Sequence, residues 1–156
     1  MQEKKAALEQ HIAVFGESGS GKTVLVSSFY GATQQQAFKD EHFVDVIADD
    51  LGQGTALYRN YLGMRDSATA PATTRFAPTS FAFTLKPKKG ANPNAARRAG
   101  ANELRLVWHD YPGEWFEQDA TGEEADRRVD TFRSLLGSDV ALLLVDGQRL
   151  LDHEGE

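Results

Sequence analysis

The chain has 156 residues, 40% of them apolar, and its 17 basic against 23 acidic side chains leave a net charge of −6. That composition supports one ordinary core, hence a single domain over 1–156, and argues against a general nucleic-acid or anionic-membrane surface. The absence of cysteine excludes disulfides, thiolate zinc sites and cysteine nucleophiles; with no bilayer-length apolar run and no signal-peptide core near Met1, the cytoplasm is the default compartment.

Residues 1–10 are charged and read as a frayed lead-in, and no internal repeat is found. His11 to Phe15 is an unbroken apolar strand of the kind that lies centrally in a parallel sheet. It runs into Gly16-Glu17-Ser18-Gly19-Ser20-Gly21-Lys22-Thr23, which fits G-x-x-x-x-G-K-[ST]. Small residues let backbone N–H groups curl around phosphate oxygens, and the next helix presents its positive N-terminal end to them. In this reading Lys22 lies on an open surface loop, meeting the β- and γ-phosphates without contributing to packing, and the Thr23 hydroxyl coordinates Mg2+. Val24, Leu25, Val26, Phe29 and Tyr30 are spaced so that several share one helical face, with Gly31 as the stop.

The stretch from Thr23 to Asp110 is less legible. Phe43 to Ala48 reads equally as an extra strand or a helical turn, whereas Leu51, Leu57, Tyr58, Tyr61 and Leu62 give a helix over roughly 50–64. Ser67 to Thr79, rich in Ala, Thr and Pro, is an extended loop. The alternation of Phe81, Phe83 and Leu85 makes 80–85 a strand at the sheet edge. Lys86 to Asn102 is a polar loop carrying Lys86, Lys88, Lys89, Arg97 and Arg98, a solvated hairpin tip that could also meet phosphates or an acidic partner.

Glu103 to His109 resumes strand character and leads into Asp110-Tyr111-Pro112-Gly113-Glu114. D-x-x-G after an apolar strand, downstream of a phosphate loop, suits a nucleotide site: Asp110 reaches Mg2+ through water and the Gly113 N–H meets a γ-phosphate oxygen. Thr121 to Glu124 forms a capping box for a helix with Val129, Phe132, Leu135 and Leu136 as its stripe and Gly137 as its stop. Val140 to Val145 is another apolar strand, and a further helix starts near Asp146.

The pairing of GESGSGKT with DYPGEWF resembles P-loop GTPases of the translation-factor-related, Ras-like class, and DYPGEW is similar to YcjX-type and double-GTPase-like NTPases. The resemblance covers roughly 11–30 and 103–152. It implies that Gly16 to Thr23 bind GTP or GDP with Mg2+, that Asp110 and Gly113 form the second switch, and that a protein effector or regulator reads the state. It also implies a first-switch threonine as a second Mg2+ contact, with Thr73 and Thr74 the candidates and Thr79 next. Glu114 stands where many relatives carry a water-orienting glutamine, so it joins Lys22 and Gly113 as a candidate for hydrolysis. No [NT]-K-x-D guanine-reading motif is present, which keeps ATP open as the nucleotide and suggests the N-terminal part of a longer domain.

The expected fold is therefore α/β, a P-loop NTPase three-layer sandwich. Its mostly parallel sheet has central strands at 11–15, 103–109 and 139–145, an antiparallel edge strand at 80–85, and lacks the last strands of a complete GTPase domain.

Overall fold

The computed structural model describes residues 8–71, 79–88, 103–116, 119–147 and 151. Five strands, β1 (Leu8–Phe15), β2 (Val44–Ala48), β3 (Thr79–Pro87), β4 (Leu104–Asp110) and β5 (Val140–Leu143), form one mixed sheet in the order β2-β3-β4-β1-β5. They are accompanied by the helices α1 (Lys22–Thr33), α2 (Gln36–Glu41), α3 (Leu51–Ser67) and α4 (Glu123–Leu135), with a 3-10 turn at Gly113–Phe116. The α/β class and the parallel pairing of the strands near 11–15, 103–109 and 139–145 match the sequence reading, although the last of them, β5, lies at the end of the sheet and not at its centre.

β1 pairs in parallel with both β4 and β5, and its start lies earlier than expected, because Leu8–Gln10 are in register with Leu104–Leu106. The antiparallel strand is not the edge. β3 sits second, between β4 and β2, and the ambiguous run 43–48 becomes the edge strand β2. The alternation of 80–85 instead reflects one-sided burial: Phe83 is fully buried on the helix-covered side, while the residues between point to a polar side.

The main core joins Val14, Val26, Val46, Ala48, Leu57, Phe83 and Trp108, with Phe29 edge-on to Phe83 at 5.4 Å. α1 and α3 thus cover one side of the sheet through Val26 and Leu57. Gly31 is no helix stop. α1 runs on to Thr33, and a Cβ on Gly31 would lie 2.1 Å from Tyr61 Cγ, so the missing side chain is what lets α3 pack this closely. α3 starts where Asp50 accepts a hydrogen bond from the Gln53 amide at 2.8 Å and ends at Ala68 in the left-handed region.

On the opposite side, α4 covers only the β1 end, where Phe132 joins Ala13, Phe15, Tyr111 and Trp115. The rest of that side carries a polar network in which Arg105 bridges Glu9 and Asp49, and His11 and His109 stack at 5.2 Å. Burial pushes the Asp49 carboxyl up, but hydrogen bonds from Thr84 and Arg105 outweigh it and hold the group below its ordinary range. β5 forms the other edge, with Leu143 and Val145 exposed. Among the described residues no helix is long and apolar enough to cross a membrane.

Candidate functional site

The loop between β1 and α1 turns on glycine. Gly19 (φ 82°) and Gly21 (φ 94°) occupy the left-handed region, which costs other residues strain, and Gly21 leads directly into α1. The Ser20 amide donates to the Glu17 carbonyl at 3.2 Å and the Leu25 amide to the Gly21 carbonyl at 2.8 Å, closing the loop onto the helix. α1 has no side-chain cap and no acidic residue in its first turn. A helix N-terminus carries a partial positive charge that favours anions.

Lys22 departs from the expected open position. It is only 9% exposed, and Nζ donates to the carbonyls of Gly16 at 2.7 Å and Glu17 at 2.9 Å. A buried ammonium is costly unless hydrogen-bonded, and the loop's inward carbonyls supply those acceptors. Lys22 thus contributes to the loop's own structure. Thr23 follows on the first turn of α1, half-buried.

Parallel pairing of β1 with β4 places Val14 beside Asp110, so the carboxylate emerges next to the start of the loop. Asp110 is 5% exposed, and its Oδ1 is buried without a hydrogen-bond partner in the structure. Burial pushes the carboxyl up to about 6, and the positive charge of Lys22 offsets this only in part. A buried acceptor left unpaired carries a desolvation cost.

Gly113 stands against the loop itself. A Cβ there would lie 2.1 Å from the Ser18 amide nitrogen and 2.4 Å from the Glu17 carbonyl carbon, so no other residue fits without displacing the turn. Glu114 follows in the same 3-10 turn, with Oε2 buried and lacking a hydrogen-bond partner. The fold therefore brings together Gly16 to Thr23, Asp110, Gly113 and Glu114. Thr79 opens β3 as the register partner of Asp110, while Thr73 and Thr74 lie outside the described residues, as does the basic stretch 89–102.

Among the described residues no group of three or more His, Asp or Glu side chains gathers around a metal position. Mg2+ commonly binds through one or two protein oxygens together with phosphates and water rather than in an all-protein cage. The Thr23 hydroxyl and the Asp110 carboxylate, whose buried Oδ1 has no hydrogen-bond partner, would fit such a partial donor set.

Sequence reasoning missed Arg128, which reaches from α4 to the 3-10 turn. Its guanidinium donates to the Trp115 carbonyl at 3.2 Å and lies 5.9 Å from the Trp115 ring centroid. The four-residue spacing of Glu124 and Arg128, which form an ion pair on α4, was the only available signal. A polar cleft of about 380 Å³ opens beside it, lined by Trp115, Thr121, Glu123, Glu124, Arg127 and Arg128.

A glycine-rich loop joining a central parallel strand to a helix, with an aspartate at the end of the neighbouring strand, defines an α/β P-loop nucleotide-binding domain. The family model Double-GTPase 2 matches residues 10–156, and the chain belongs to that family. No curated protein matches the chain. Membership brings a GTPase-type, nucleotide-binding domain as the class of function.

Proposed function

We propose that the chain binds a nucleoside triphosphate with Mg2+, GTP in first place, and hydrolyses it as a switch read by a protein partner. The observation that carries this is the buried Asp110 carboxyl beside Lys22 and the phosphate loop, with its Oδ1 lacking a hydrogen-bond partner and its proton held more tightly by burial. Residues Gly16 to Gly21 supply backbone N–H groups to the phosphates, and Lys22 turns from the Gly16 and Glu17 carbonyls toward them. Thr23 and Asp110 would hold Mg2+, which would supply charge neutralisation to the phosphates. A first-switch threonine, Thr73, Thr74 or Thr79, adds a further contact.

Hydrolysis of this kind is mostly positioning and electrostatics. The Gly113 amide meets the terminal phosphoryl oxygen, and Glu114, in the adjacent position, orients or deprotonates the attacking water. ATP is the second nucleotide to consider, because the sequence holds no [NT]-K-x-D to read guanine. Thermal melts with GTP, GDP, ATP and ADP, with and without Mg2+, test the reading, since a ligand of the native state must raise apparent stability. Guanine nucleotides should raise the melting temperature most and only fully with Mg2+; no rise with any nucleotide overturns the proposal.

A further inference from the structure

We infer that Arg128 is a positioning residue that holds the Gly113–Phe116 turn, and through it the phosphate loop, in register with α4. The inference rests on the nucleotide reading above and names the element through which the site is coupled to the rest of the chain.

The Trp115 carbonyl lies in the last positions of the 3-10 turn, where carbonyls run out of partners along the helix, and Arg128 supplies a donor at 3.2 Å. The guanidinium also lies over the Trp115 ring, 5.9 Å from its centroid, and its other arm is held by Glu124 one helical turn earlier. Only a planar fork with several donors can serve a carbonyl, a carboxylate and a ring face together. Arg128 is 9% exposed, so the group has given up water for these contacts. An apolar residue could pack on Trp115, but it would leave the carbonyl without this donor.

One turn further along α4, Phe132 meets Trp115 edge-on at 6.4 Å and stacks with Phe15 at 6.3 Å. Phe15 is the residue before Gly16, and Trp115 is two residues after Gly113. α4 therefore grips both segments of the phosphate site from consecutive turns, and Gly113 is pressed on Ser18 where those segments meet. A shift of the turn when the site fills would reach α4 through Arg128 and Phe132 together, and a partner that holds α4 would bias the turn.

Amide hydrogen exchange on the nucleotide-free full chain, comparing wild type with Arg128→Ala, tests this. Exchange should rise about tenfold in 111–116 and in 16–21, while 51–67 in α3 stays unchanged. Arg128→Lys, which keeps the charge but not the fork, should fall between the two. Glu124→Gln reads the same segments with the guanidinium retained, and serves if Arg128→Ala does not fold. In turnover of the triphosphate, Arg128→Ala should lower kcat with KM within about twofold. Unchanged exchange in both segments, or a rise spread evenly over 51–67, overturns the inference. Because exchange is read without nucleotide, its outcome stands apart from failure of the nucleotide reading, which would show as wild type gaining no protection from any nucleotide.

Discussion

Burial of Asp110 outweighs the pull of the Lys22 ammonium that faces it, so its carboxyl is pushed up to about 6. The carboxylate is thus held in the fold at a cost, and replacing it should reveal that cost. At neutral pH, Asp110→Asn should stabilise the nucleotide-free chain by roughly 1–3 kcal/mol, the size expected for a shift of this order. The folded group binds its proton more tightly than the unfolded one, so the wild-type contribution is intact below about pH 4 and is lost as pH rises through about 6. The melting-temperature difference between variant and wild type should therefore grow between those pH values and level off above about 7. The same variant should lose the Mg2+-dependent part of nucleotide stabilisation, and a variant less stable than wild type at neutral pH would contradict the assignment.

Lys22→Ala removes two roles at once. Its hydrogen bonds to the Gly16 and Glu17 carbonyls are lost in the empty loop, and its charge is lost toward phosphate. Melting should drop modestly, by about 1–2 kcal/mol, while triphosphate affinity falls roughly tenfold to a hundredfold. Titration calorimetry beside thermal melts separates the two effects, and unchanged affinity would exclude Lys22 from the phosphate site.

Gly113 and Glu114 should differ from Asp110 in kind. Gly113→Ala forces the turn off Ser18, because its Cβ would lie 2.1 Å from the Ser18 nitrogen, and turnover should fall about a hundredfold. Glu114→Ala should keep nucleotide affinity and lower the hydrolysis rate. Single-turnover hydrolysis measured with binding on each variant checks this, and a Glu114→Ala rate equal to wild type places the water elsewhere.

Gly31→Ala serves as a remote comparison. Its Cβ would fall 2.1 Å from Tyr61 Cγ, so α1 and α3 must separate, at about 1–3 kcal/mol. Chemical denaturation should show that loss while the dependence of nucleotide affinity on Mg2+ stays as in wild type.

The elements that could be read from sequence are those whose signal is local. Gly16 to Thr23 and Asp110 to Gly113 carry their geometry in contiguous residues, and the apolar runs of β1, β4 and β5 mark parallel strands without reference to anything distant. Relations between distant segments could not be read in this way. Phe43 to Ala48 is too short for periodicity to choose strand over helix, and that choice decided whether β3 lay at the edge. Gly31 looked like punctuation because its reason is Tyr61, thirty residues away. The burial of Lys22 and the reach of Arg128 to Trp115 depend on loop closure and helix docking, which no spacing in the sequence records.

The most direct test of the account is isothermal titration of the wild-type chain with GTP, GDP, ATP and ADP in the presence and absence of Mg2+, repeated on Lys22→Ala. The account predicts one nucleotide per chain, guanine nucleotides favoured, Mg2+ dependence for the triphosphate, and weakened binding in Lys22→Ala. Absence of binding by every nucleotide in wild type, or equal binding in the variant, would contradict it.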